Sequence, residues 1–232
     1  MDRAALKELS KSQLKGNWTT PVLVSLVYSV ITILISMIQS ETNSNFIIII
    51  SLLATFLIGV WATIGIPSFY LRFVETSGSA TFRDLIVDKS SFFKSFLYTL
   101  ILSLISFVIA FITIFFLISI GTGMLLSNGS LSTYAFIVIA VISLVILLTE
   151  ILILAISQTP YLILENPSIG VFEAIKLSMN IMKGNKCKLF ILELSFIGWA
   201  ILALLTFGIG FFWLEPYIML TKANFYKLIS RK

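Results

Sequence analysis

The sequence contains no histidine and a single cysteine, Cys187, among its 232 residues. These absences exclude a disulfide framework and histidine-based acid–base catalysis, and they argue against a zinc site of the usual ligands. Charge is also scarce, since 12% of the residues are charged, compared with about 25% in an ordinary globular domain. A soluble domain could not cover its core with so few charged side chains. We therefore expect a chain that lies in lipid, with no enzymatic activity, no metal and no cofactor.

Long apolar runs dominate what is present, and hydrophobic residues make up 58% of the chain. A helix needs roughly 20 apolar residues to cross a hydrocarbon core of about 30 Å. Six segments meet or approach that length, at 21–38, 46–73, 96–118, 134–164, 189–207 and 211–226. The sixth carries Glu215 and Pro216, so that a kinked span and a shallow interfacial segment both remain open. The sequence predicts an all-α polytopic membrane helix bundle that forms a single transmembrane domain over residues 1–232.

The sixteen Lys and Arg residues lie around alternate ends of these spans. The connections at 39–45, 119–133 and 208–210 contain none of them. Under the positive-inside rule this segregation places both termini in the cytoplasm. It also argues against a nucleic-acid partner and favours contacts with anionic lipid headgroups of the inner leaflet. The candidate headgroup contacts are Lys15, Lys183, Lys186 and Lys188.

Two segments of eight residues resemble each other, SKSQLKGN at 10–17 and SMNIMKGN at 178–185. Each leads into an odd-numbered span, and each hairpin that follows ends near a proline with an aromatic neighbour. The pattern predicts three pseudo-repeats, each a cytoplasmic amphipathic helix followed by a helical hairpin. In the middle repeat the amphipathic helix is predicted at 81–96, where Thr81 and Asp84 resemble a capping box.

The shared Lys-Gly-Asn sequence predicts a joint between an interfacial helix and a span. Gly16 and Gly184 are expected to take the left-handed conformation that ends one helix, and Asn17 and Asn185 to cap the start of the next. The alternative is a ligand-binding loop, because each glycine leaves backbone N–H groups free beside a lysine.

Three carboxylates fall within the predicted spans: Glu150, Glu193 and Glu215. A charge at the bilayer centre costs at least about 2.5–3.5 kcal/mol, so these residues are candidates for an ion or proton site. No lysine or arginine lies deep enough to pair with Glu150, which is expected to be protonated or hydrogen-bonded to neighbouring hydroxyls. Glu193 is two turns from Lys186, and Glu215 is two turns from Lys222, which predicts a long side-chain pair for each.

Small and weakly polar side chains mark one face of several spans. In the third span they are Ser103, Ser106, Ala110 and Thr113. Such stripes predict packing seams between helices, with a hydrophilic conduit as the alternative.

The joint at 183–185, the sequence FILELSFIGW at 190–199, TFGIG at 206–210 and ANFY at 223–226 together resemble a bacterial integral membrane family designated domain of unknown function 975. The resemblance covers essentially the whole chain. It implies a multi-span protein of the bacterial plasma membrane, distantly similar to the membrane domain attached to some glycerophosphodiester phosphodiesterases, and it implies no activity. Cys187 stands where that family usually has an aromatic residue, and Glu193 falls where it tends to carry an acid.

Two functions follow as hypotheses. The first is a non-enzymatic accessory, partner-binding or self-protection (immunity) component, with a membrane protein or a second copy of the chain as partner. The second is a small proton- or cation-linked transporter or channel that uses Glu150. A lipid-active enzyme would need acid–base pairs that the sequence does not supply.

Overall fold

The computed structural model describes residues 3–126 and 131–230. Within these ranges all long elements are helical, which confirms the all-α class. A short 3-10 turn, Phe82–Leu85, lies between the third and fourth helices. The helices are α1 Arg3–Leu14, α2 Thr19–Glu41, α3 Asn45–Glu75, α4 Lys89–Leu126, α5 Leu131–Ile156, α6 Thr159–Glu165, α7 Val171–Ile181, α8 Lys186–Leu194, α9 Ile197–Leu205 and α10 Phe211–Ser230.

Five helical segments of the described chain are long and apolar enough to cross a membrane. They are α2, α3, α4, the α5–α6 segment and the α8–α9 segment, which confirms an integral membrane helix bundle. The sixth predicted span is different, because α10 carries Glu215, Lys222 and Lys227 within twenty residues. This helix packs inside the protein, where Phe225 and Tyr226 are fully buried. Five of the six predicted spans thus have the length and composition to cross a membrane, and whether α10 crosses it stays open, as the sequence left it.

The packed core lies at one end of the bundle, here called the basic end. It is formed by α1, α6, α7, α10 and the second half of α3. Away from the basic end the apolar surfaces of the helices are exposed. On α4, for example, Phe107, Phe111 and Phe115 are each more than 60% exposed. Lipid tails are as apolar as leucine, so such surfaces are stable against a bilayer but would be unfavourable in water. The protein thus combines a compact basic end with long helices that lipid must cover.

The middle repeat departs from the prediction. The capping box of Thr81 and Asp84 is present, but it starts only a single 3-10 turn. A new helix then begins after Asp88, whose carboxylate accepts a hydrogen bond from the Ser91 backbone N–H at 3.0 Å. This helix, α4, continues to Leu126 without an interruption. The amphipathic helix predicted at 81–96 is therefore wrong, because no glycine or proline separates its second half from the span.

The two Lys-Gly-Asn joints have the same geometry. Gly16 has φ +86° and Gly184 has φ +73°, the left-handed conformation that was predicted. Asn185 is the N-cap residue of α8, as predicted, whereas Trp18 rather than Asn17 is the N-cap residue of α2, and neither asparagine side chain caps the following helix. Asn17 and Asn185 donate through Nδ2 to the carbonyl four residues earlier, at 3.4 Å and 2.8 Å, so they satisfy the end of the preceding helix.

The third hairpin, α8 to α10, is shorter than the other two. Its first arm breaks at Ser195, and its tip at 206–210 exposes Phe207 almost completely, at 99%. A layer of charge crosses its base, where Lys222 pairs with Glu193 at 2.7 Å. From this layer each arm continues for about 17 Å at 1.5 Å per residue, roughly half of a 30 Å hydrocarbon core.

Candidate functional site

Glu193 does have a lysine partner, but across two helices rather than along one. Its carboxylate lies 2.7 Å from the Lys222 ammonium of α10, and both side chains are about one-third exposed. The predicted pair with Lys186 is therefore wrong. The predicted pair of Glu215 with Lys222 is wrong for the same reason, because Glu193 occupies that ammonium group.

Glu215 instead has its neighbours on α2 and α3. Its polar neighbours there are Ser25 and Tyr28 of α2 and Tyr70 of α3. Ser25 and Tyr70 are both buried. Glu215 thus belongs to a polar contact between helices.

Glu150 lies in a third environment, half-buried on α5. Within the described part of the chain it makes no hydrogen bond and no ion pair, and the neighbouring Thr149 hydroxyl donates to the Val145 carbonyl at 2.8 Å instead. The three predicted ion-site carboxylates have separate surroundings and do not form one common site.

The predicted headgroup lysines lie around the two joints. Lys15, Lys183 and Lys188 are exposed, and Lys186 is half-buried. Lys188 donates to the Asn185 side chain at 2.9 Å. Their contact with lipid headgroups stays a prediction.

Helix α1 packs along α10 and contacts the third hairpin where its first arm breaks at Ser195. The Asn224 amide donates to the Ser10 hydroxyl at 3.0 Å and to the Gln13 side chain at 2.7 Å. Lys7 donates to the Ser195 carbonyl at 3.0 Å and lies 4.3 Å from the Phe196 ring centre. Burial, followed by the charges of Lys11 and Arg3, lowers the pKa of Lys7. The amphipathic helix is therefore a fixed part of the protein.

This arrangement leaves a cleft of about 360 Å³ between α1, the start of α2 and the third hairpin. We call it the aromatic cleft. Its volume falls within the roughly 300–1,000 Å³ of small-molecule sites. Three of the four tryptophans of the chain line it. Its principal residues are Lys11, Trp18, Trp199, Leu202, Trp213 and Tyr217.

Lys11 stands at the polar side of the aromatic cleft. Its ammonium lies 5.9 Å from the Trp199 ring and 6.0 Å from the Tyr217 ring, within the range of cation–π attraction. The deeper wall depends on Gly210, because a Cβ there would lie 2.8 Å from the Ala203 backbone. Close packing of α9 against α10 therefore shapes the deeper wall.

Sequence reasoning missed this cleft. It treated Lys7 and Lys11 only as indicators of topology. A signal was nevertheless present, because Trp199 and Trp213 lie on the two arms that flank the glycine-containing hairpin tip at 206–210.

A second polar network joins three helices at the basic end. Lys227 contacts Glu165 at 2.6 Å and Glu75 at 2.8 Å, and the Tyr226 hydroxyl donates to Glu165 at 2.6 Å. Burial opposes the charge of Lys227, but hydrogen bonds and charges of the two carboxylates outweigh it and raise its pKa. This network holds α3, α6 and α10 together.

Comparison with known proteins identifies the family. The sequence profile of a family described as Protein of unknown function (DUF975) matches residues 1–232. No curated protein and no solved structure matches the chain. Because the profile covers every residue, this membrane helix bundle belongs to the DUF975 family.

Proposed function

We propose that the protein is a non-enzymatic accessory component of the bacterial cytoplasmic membrane that binds a helix of another membrane protein. Both termini would lie in the cytoplasm, in line with the segregation of its cations. A second copy of the chain is the other partner that the same surface could accept.

The observation that carries this proposal is the uncovered seam of α4. Ser103, Ser106 and Ala110 follow one another at spacings of three and four residues, and all three are exposed. None of the residues in the most apolar window of α4 is buried within the chain. Helices in lipid associate through small residues that allow close approach, so a seam left open by its own chain suits a helix from outside.

Co-purification in mild detergent tests the proposal. An Ala110→Phe substitution should abolish recovery of the partner, because it fills the seam. Val108→Phe places the same aromatic side chain at another exposed position of α4 and should leave recovery unchanged. Repeated purifications without a partner, together with unchanged sensitivity to membrane-active peptides on deletion, would count against an accessory or self-protective role.

A proton- or cation-linked transporter is the second candidate. It is supported by Glu150, a half-buried carboxylate for which the described chain provides no hydrogen-bond or ion-pair partner. In this case Glu150→Gln should alter a pH-dependent flux in reconstituted vesicles, whereas Glu173→Gln on the exposed face of α7 should not. Identical fluxes for the two variants and the unmodified protein would end the transport hypothesis.

A further inference from the structure

The aromatic cleft contains a polar group that the protein itself leaves unsatisfied. Tyr217 is only 6% exposed, and its buried hydroxyl has no hydrogen-bond partner in the described part of the chain. A buried hydroxyl without a partner costs about 1–3 kcal/mol, so such groups usually have a role. The hydroxyl belongs to a residue of the cleft wall, beside Lys11.

Lys11 is the second group without a protein partner of opposite charge. Within the described residues no carboxylate lies within ion-pair distance of its ammonium, although Lys222 and Lys227 both have such partners. The charged groups that face this region from α1 are Lys7 and Lys11, and Glu8, which is exposed and interacts with Tyr217. Glu193 and Lys222 neutralise each other nearby. The local balance therefore favours an anionic ligand.

The rest of the cleft is apolar and runs along the third hairpin. Helix α9 has nine residues, which corresponds to about 13 Å, close to the thickness of one leaflet of the hydrocarbon core. Trp199, Trp213 and Leu202 are each half-exposed on its walls, so that the cleft opens toward lipid. A ligand that fits must carry a negative charge at one end and an apolar chain at the other.

We propose that the aromatic cleft binds one anionic phospholipid, with an acyl chain between Trp199 and Trp213 and the phosphate on Lys11 and the Tyr217 hydroxyl. A choline headgroup is disfavoured, because the Lys11 ammonium already occupies the aromatic faces that would receive it. The site is distinct from the lysines of the Lys-Gly-Asn joints, and it does not depend on the proposed accessory role.

Quenching of tryptophan fluorescence by brominated lipid tests this site, because three of the four tryptophans line it. The full chain is reconstituted in phosphatidylcholine vesicles containing an equal fraction of either brominated phosphatidylglycerol or brominated phosphatidylcholine. The anionic lipid should quench more strongly. Lys11→Gln should reduce the preference about fivefold, the factor that corresponds to about 1 kcal/mol per lysine near anionic lipid.

Two further variants decide between a site and general attraction. Tyr217→Phe should weaken the preference without lowering thermal stability, since the hydroxyl has no partner to lose. Lys176→Gln is the matched control, because it removes the same charge from the exposed face of α7. Equal quenching by the two lipids, or an effect of Lys176→Gln as large as that of Lys11→Gln, would overturn the proposal.

Discussion

The depth of the third hairpin can be measured directly. Phe207 lies at its tip and is 99% exposed, so a cysteine there reports the depth without disturbing packing. The layer of charge at Glu193 and Lys222 fixes the base of the hairpin. If this layer lies at the membrane surface, each arm extends about 17 Å and the tip stops near the middle of a core of about 30 Å.

The assay uses an impermeant maleimide on intact cells that carry Phe207→Cys in a Cys187→Ser background. Maleimides react with the thiolate, which does not form in hydrocarbon, so the tip should stay unlabelled. Asn43→Cys in the connection between α2 and α3 is the matched control and should be labelled. A nitroxide at position 207 should in addition be more accessible to oxygen than to a polar relaxation agent.

The opposite labelling result would refute the proposed depth of the hairpin tip. Labelling of the Phe207 position from outside at the rate of the Asn43 position would show that the hairpin crosses the whole bilayer. The charge layer would then lie inside the membrane, and six complete spans would be restored.

Three stability predictions concern the packed end, each measured by thermal denaturation in one detergent. Gly184→Ala should lower the free energy of unfolding by about 1–2 kcal/mol, because φ at this residue is +73° although the space for a Cβ is open. Gly59 has equally open space but lies within a helix, so Gly59→Ala should instead raise the free energy of unfolding by up to about 1 kcal/mol. Gly65→Ala should cost more than Gly184→Ala, since its Cβ would lie 2.8 Å from the Leu85 carbonyl oxygen. Because the pKa of Lys227 is raised, its contribution to the free energy of unfolding should be complete below the unfolded pKa of 10.5 and should be lost as the pH rises through the folded pKa. Lys227→Met should remove this pH dependence. Equal loss of stability with alkaline pH in the variant and the unmodified protein would contradict the prediction.

The apolar helices could be predicted from the sequence because their signal is local. Hydropathy over some twenty residues decides whether a helix can lie in lipid, whatever it packs against. The same holds for the left-handed Gly16 and Gly184, since a joint of this kind needs only its own backbone. The first hairpin and the two Lys-Gly-Asn joints were therefore found at the predicted places.

The site could not be predicted in the same way, because it depends on contacts between distant segments. Periodicity indicates which face of α8 carries Glu193, but not that α10 brings Lys222 against it. Asp88 likewise decides where α4 begins through one hydrogen bond, which competes with the hydrophobic periodicity of 81–96. Lys11 and Tyr217 are more than two hundred residues apart, and only the docking of α1 along α10 brings them together.

The first and third repeats have similar sequence patterns but form hairpins of different structure. Both begin with an amphipathic helix and the same left-handed joint, so the difference arises in the hairpin. The second arm of the first hairpin is apolar over its outer half, and it can extend through lipid. The second arm of the third is α10, where Glu215 and Lys222 bring the cost of burying charge, which favours packing against protein over exposure to lipid. The third hairpin leaves its aromatic faces uncovered beside α1, so the charges that distinguish α10 from the second arm of the first hairpin also account for the cleft.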